Sequence, residues 1–210
     1  MKKIMTLAAA MLLTATAAMA QFSAGIGYLT PNHPWTDDGL NGFYASVDYN
    51  IPIVGNLGVA PGIAYSFSGK KTMPKYHQTY VFHKASLREQ YVSVPVNVNY
   101  ALNLSSDLTV RLYAGPTFSY GLTSIFKGDI DIKDWTIVTG KHIGHTINLY
   151  NDSGDYKKFD ILVGGGVAFD YDSSIRLSLG YNYGLLNRYN TTLIPSFHRS
   201  YLHMGIAYLF

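Results

Sequence analysis

The chain has 210 residues, no cysteine and a formal charge of +3, with charged and aromatic residues each at 14%. The absence of Cys excludes a disulfide scaffold, a thiolate metal site and a Cys nucleophile, and near-neutrality gives no nucleic-acid footprint and no field for acidic substrates. Soluble domains carry about 25% charged residues, so a chain this poor in charge, with 18 Tyr and 20 Gly, calls for a surface that does not meet water.

The first segment explains how such a chain could leave the cytoplasm. Lys2 and Lys3 precede an apolar stretch from Ile4 to Met19, and Ala18-Met19-Ala20 stands just before Gln21. A basic start, a short apolar run and a small-x-small site are the marks of a secretory signal peptide. Residues 1–20 are therefore expected to be removed, leaving one domain over residues 21–210 with a formal charge of +1. The alternative, a retained membrane helix, is disfavoured because the segment is short and Ala/Thr-rich. No Cys follows the site, so a lipid-anchored form is excluded.

Beyond residue 20 the organising signal is period 2, which marks strands with one apolar face. Eight segments show it: 21–29, 42–51, 57–68, 91–102, 108–122, 159–171, 175–186 and 201–210. One alternating set is bulky and uncharged, as in Val92, Val94, Val96, Val98, Tyr100 and Leu102, or Leu202, Met204, Ile206, Tyr208 and Phe210. The other set is Gly, Ser, Ala, Thr and Asn with a few charges: Asp48, Arg111, Asp160, Asp170 and Arg176. A lumen of eight strands holds little more than small side chains, so the bulky set would overfill it. With the small set inside and the bulky set toward lipid, the pattern is that of a transmembrane barrel. A two-sheet sandwich would bury the bulky set but expose a Gly/Ser/Ala-rich face with few charges, a poor soluble surface.

The connections point the same way. Short links (Val54-Gly55-Asn56, Ser105-Ser106-Asp107, Asp172-Ser173-Ser174) alternate with long ones at 30–41, 69–90, 123–158 and 187–200. Short turns on one side and long loops on the other are an outer-membrane pattern, and they predict both termini in the periplasm. Aromatic residues fall at both ends of the strands, where two interface girdles are expected. Within the longest connection the alternating piece Asp129–Val138 predicts a hairpin extending above the membrane. Pro61, Pro95 and Pro116, each lacking a ladder donor, predict bulges or bends.

Five stretches carry a family resemblance: "YVSVPVNVNYAL" (91–102), "VRLYAGPTFSYGL" (110–122), "FDILVGGGVAFDY" (159–171), "LGYNYGLLN" (179–187) and the aromatic C-terminus. They resemble the Bacteroidetes-type outer-membrane β-barrel proteins, the porin-like PorT family. The resemblance implies an all-β, eight-stranded, antiparallel, up-and-down transmembrane β-barrel in the cell outer membrane. It brings no catalytic residue, and a role in secretion does not carry over. The terminal Phe210 resembles the aromatic signal read by the barrel assembly machinery.

Candidate chemistry is sparse. The inward charges predict pairing within the lumen, since a charge taken from water needs a partner. His142 and His145 in the longest loop lack a third ligand and the Glu of a zinc helix. His83, His198 and His203 fall near or in strands, but no Gly-x-Ser-x-Gly motif accompanies them. Gly164-Gly165-Gly166 has no following helix, so a phosphate loop is excluded and close packing against an interior side chain is expected. No catalytic, cofactor-binding or metal-ligating residue is assigned and no cofactor is expected. The partners implied are outer-membrane lipid and an extracellular ligand or envelope protein, with no nucleic acid. The reading is a non-enzymatic barrel whose loops serve adhesion, binding or envelope support. The alternatives are a narrow channel or secretion accessory barrel, and then a barrel enzyme.

Overall fold

The computed structural model describes residues 21–34, 39–72, 80–132, 142–152, 156–190 and 196–210; the expected signal peptide lies outside them. Alternation of bulky and small residues yields nine strands: β1 Gln21–Pro31, β2 Asn41–Val54, β3 Leu57–Thr72, β4 Tyr80–Asn103, β5 Leu108–Ile132, β6 His142–Asn148, β7 Phe159–Tyr171, β8 Ile175–Gly184 and β9 Ser200–Leu209. All pairings are antiparallel, in the order β4-β3-β2-β1-β9-β8-β7-β5, and β4 pairs with β5 to close the ring. Eight strands form the barrel; β6 is the short return of β5. Stepping from partner to partner around the ring, a path that leaves β1 at Gln21 re-enters it at Pro31. Such a stagger accompanies strand tilts of about 35–45°.

The two faces separate as the sequence requires. Outward residues stay open, with Ile26 at 65%, Leu112 at 50% and Met204 at 50% exposure, whereas inward Ser119 and Ala168 are at 1%. For a soluble protein that apolar surface would be ruinous; in lipid it is the solvated face. Aromatic pairs ring both edges of the band. Phe22 and Tyr49 stand 4.7 Å apart and Tyr208 and Phe210 4.9 Å apart at the edge carrying the short turns, the turn end, and Tyr28 and Phe43 stand 5.6 Å apart at the opposite loop end. At the turn end Gly55 has φ +54, and Asp172 and Ser173 have φ 50 and 51. Two successive left-handed residues make the mirror-image turn whose twist suits a tight hairpin.

Several expectations needed correction. The predicted loops at 69–90 and 123–158 carry strand extensions among the described residues: β4 has 24 residues and β5 25, against the roughly 9–11 that cross a bilayer. Their upper parts continue past the apolar band, so the barrel stands above the membrane on this side. A hairpin pairs Ile125–Asp131 with β6, overlapping the expected piece Asp129–Val138 at its start, while 133–138 lie outside the described residues. The register shifts fall at Pro52/Val54, Phe82/Lys84 and Gln90/Tyr91. None falls at Pro61, Pro95 or Pro116; Pro61 stays paired with Val96, Pro95 with Thr117 and Pro116 with Val163. The missing donors are tolerated without an inserted residue, because Pro interrupts single hydrogen bonds and a bulge would turn the lipid face inward.

Candidate functional site

The interior of the barrel and the loop platform above it hold the chemistry. At the turn end, inward positions on β5, β7 and β8 bring three charges together. Asp170 lies between Arg111 Nη2 at 3.1 Å and Arg176 Nε at 2.6 Å, and Arg111 also donates to Asn99 Oδ1 at 2.7 Å. Asn99 in turn donates to Asn50 at 2.8 Å, so the layer crosses the lumen. Pairing of the inward charges is thus found for three of the five. Asp48 accepts a hydrogen bond from Ser46 at 3.4 Å, and Asp160 sits at the other end of the barrel, accepting from Leu186 N at 3.4 Å.

Above this layer is a cavity of about 160 Å³, lined in part by Tyr44, Tyr113, Asn97, Asn182 and His203. The glycines of the lumen explain its contents. A methyl group at Gly166 or Gly180 would come 2.5 Å from the Tyr113 hydroxyl, and Gly164 similarly makes room for Asn182. The triple glycine is therefore a packing device. His203 meets Tyr44 edge-on at 6.0 Å.

The loop end is closed by a second, larger assembly that the sequence did not reveal. Glu89, on the part of β4 above the band, and Arg188, from the β8–β9 loop, are 1% and 2% exposed and lie 3.3 Å apart. Glu89 Oε1 also accepts from Ser124 at 3.1 Å. Arg188 donates to the hydroxyls of Tyr91 and, at 3.0 Å, Tyr150, and Tyr150 donates to Tyr91 at 3.1 Å. The Arg188 guanidinium lies 4.9 Å from the centre of the Tyr156 ring, and Arg199 stacks 3.8 Å above Tyr91, within cation–π range. Burial acts to lower the Arg188 pKa, but the facing oxygens of Tyr91 and Glu89 outweigh it and hold the group well above its ordinary value. The arginine is a fixed charge.

Over this pair sits an apolar lid: Leu40, Leu87, Leu149, Tyr150, Tyr156 and Tyr189 form a buried cluster with Phe197 packed against it. Backbone bonds lace the contributing loops together. Lys157 N donates to Arg188 O at 2.8 Å, Arg188 N to Phe197 O at 2.9 Å, and Asn32 N to Ser200 O at 2.8 Å. Tyr156 and Tyr189 form a bridge. All four of the long connections read from the sequence thus contribute residues to one cap. The signals were faint: an Arg just after β8 and a Glu in a segment predicted as loop, with nothing local to link them.

His33 belongs to this cap, 3.3 Å from the Tyr156 hydroxyl and edge-on to Phe197. Burial pulls its pKa down to about 4; Glu89 opposes that shift and Arg188 adds to it. An opened cap would let His33 titrate near 6.5, so closure is unaffected above pH 7 and weakens as pH falls through 6.5 toward 4. The full penalty is at most about 3 kcal/mol. Amide protection factors around Tyr156 and Tyr189, corrected for the pH dependence of intrinsic exchange, are expected to fall between pH 7 and pH 4, with His33→Phe flattening the profile. A flat profile in the parent protein would show that the buried imidazole does not couple to closure.

Of the remaining histidines, His198 and His203 have described side chains. His198 stacks on Tyr183 at 5.8 Å, with Nδ1 3.1 Å from Gly184 O. His83 lies in β4, and His142 and His145 in β6, with side chains outside the described residues. Among the described residues no three His, Cys, Asp or Glu gather as a metal site.

Residues 37–190 match the family of the outer membrane protein beta-barrel domain. The chain belongs to that family. No curated protein matches it in sequence. Solved structures similar to this outer-membrane barrel include Ail, the attachment invasion locus protein of Yersinia pestis, at 14% identity and TM-score 0.45, covering 91% of this chain and 99% of that one. The outer membrane enzyme PagL has 9% identity and TM-score 0.47, with 89% and 97% covered. A major outer membrane protein from Thermus thermophilus has 16% identity and TM-score 0.46, with 91% and 100% covered. The family places the chain in the outer membrane as a β-barrel and leaves its activity open.

Proposed function

We propose that this outer-membrane barrel is a non-enzymatic, non-conducting surface protein whose working part is the cap built by its loops, serving to bind an extracellular ligand or an envelope partner. The observation that carries the reading is the closed loop end: the Glu89–Arg188 pair and the lid of Tyr156, Tyr189 and Leu40 fill the mouth. A second layer, Arg111–Asp170–Arg176, crosses the lumen below. A path for solute would have to break the buried Glu89–Arg188 pair and then the part-buried pairs of Asp170, whereas loops held by mutual hydrogen bonds make a firm platform for recognition. In this reading residues 1–20 are a cleaved signal peptide and the turns and both termini face the periplasm. The strand motifs at 91–102, 110–122 and 159–171 support a kinship with the Bacteroidetes PorT-like barrels in this reading, with insertion by the barrel assembly machinery.

Single-channel recording in planar bilayers tests the central claim. Silence at high protein load is expected for the parent protein and for Arg188→Ala, because the lower layer persists. Stepwise openings in the parent would overturn the reading and favour a narrow channel. The chain lacks Cys, so orientation can be read by single introductions. Lys157→Cys in the loops is expected to react with an impermeant maleimide on whole cells, and Asn56→Cys in a turn only after lysis.

A further inference from the structure

Lys71, Arg88 and Lys127 occupy outward positions on three adjacent strands, just past the apolar band at the loop end, and all are exposed. The register sets Ser86 opposite both Lys71 and Lys127, and Arg88 one outward position nearer the membrane, between Gly69 and Ile125. Neighbouring strands are about 4.8 Å apart, so the three stems rise from one patch. The Arg88 stem passes beside Gly69: a methyl group there would lie 3.4 Å from its Cγ. The outward positions below are Phe67, Gln90 and Thr123, and no carboxylate stands among these outward residues. One step further from the membrane the register sets Lys84 opposite Asp129. The facing layer of lipid headgroups lies within reach, because long basic side chains extend along apolar surface while their charged heads seek anions.

We propose that this patch binds the phosphate of a lipid headgroup in the leaflet at the loop end, with Arg88 as the fork that takes two phosphate oxygens and Lys71 and Lys127 as flanking charges. The site lies outside the lumen and the cap, so it is independent of whether the barrel conducts.

The test uses the mature barrel in neutral detergent micelles, titrated with phosphatidic acid and, separately, with the matching diacylglycerol; bound lipid is counted by native mass spectrometry. Phosphatidic acid is expected to bind and diacylglycerol not. Each cation near a surface contributes enough for roughly a fivefold loss on neutralisation. Arg88→Gln should therefore weaken binding about fivefold, and the triple variant K71Q/R88Q/K127Q far more. Lys157→Gln, which removes the same charge from a loop elsewhere, should leave binding unchanged. Equal binding of the two lipids, equal loss in Lys157→Gln, or an unaffected triple variant would overturn the site. Displacement of phosphatidic acid by millimolar inorganic phosphate would also overturn it, since the site would then hold a free anion and not a lipid. The barrel's folded gel mobility checks that each variant remains intact.

Discussion

Arg188→Ala is expected to loosen the loop end of the barrel at a cost of about 3–5 kcal/mol, while leaving the membrane-embedded strands paired. The substitution strands Glu89, 1% exposed, with Ser124 as its hydroxyl donor, and it removes the cation that organises the hydroxyls of Tyr91 and Tyr150. A buried carboxylate without its counter-charge either takes up a proton or admits water, and both loosen the lid above. Limited proteolysis of reconstituted protein should cut the loops around Tyr189 much faster in the variant. Heat-dependent gel mobility should show a smaller shift of the barrel itself, because the strand ladder is intact. The pair can be separated from its packing by Glu89→Gln combined with Arg188→Met, which removes both charges and keeps most of the volume. That double variant is expected to recover most of the protease resistance. If it is as fragile as Arg188→Ala, then the cap depends on the guanidinium contacts with Tyr91 and Tyr156 more than on the ion pair.

The contrast between barrel and cap also explains what could be read from the residues. Lipid on one side and a narrow lumen on the other force each spanning segment into strict alternation, so Val92 to Leu102 or Leu202 to Phe210 announce both strand and facing without any partner being known. Above the band that pressure ends. Arg88 and Lys127 meet water or headgroups and Leu87 meets the lid, so the period dissolves although the strands of β4 and β5 continue. The cap is less legible still. Its residues come from β4, the turn after β6 and two loops, with Glu89 and Arg188 separated by 99 residues, and each alone reads as an ordinary loop residue. The turn-end layer falls between these cases. The inward facing of Asp170, Arg111 and Arg176 followed from parity, but which carboxylate served which arginine depended on the register across β5, β7 and β8.

That register makes Asp170 the most consequential single side chain within the membrane band. It is the acceptor for Arg176 at 2.6 and 2.8 Å and for Arg111 at 3.1 and 3.2 Å. Arg111 has Asn99 as a further acceptor, whereas Arg176 donates to Asp170 through both Nε and Nη2. Asp170→Asn keeps the shape and removes the charge, leaving two guanidinium groups facing each other beside the lumenal cavity without their shared carboxylate. The cost is then that of broken pairing plus like-charge repulsion, about 3–5 kcal/mol or more. Arg176→Gln should cost clearly less, because Asp170 keeps Arg111 and the repulsion disappears. The order expected in thermal unfolding, followed by gel mobility, is parent, then Arg176→Gln, then Asp170→Asn. Adding Arg176→Gln to Asp170→Asn should restore stability, a coupling that two independent hydrogen bonds would not produce. Equal losses for the two single variants, with additivity in the double, would mean that lumenal water screens the arginines and that the layer is a hydrated path, which would reopen the case for conduction.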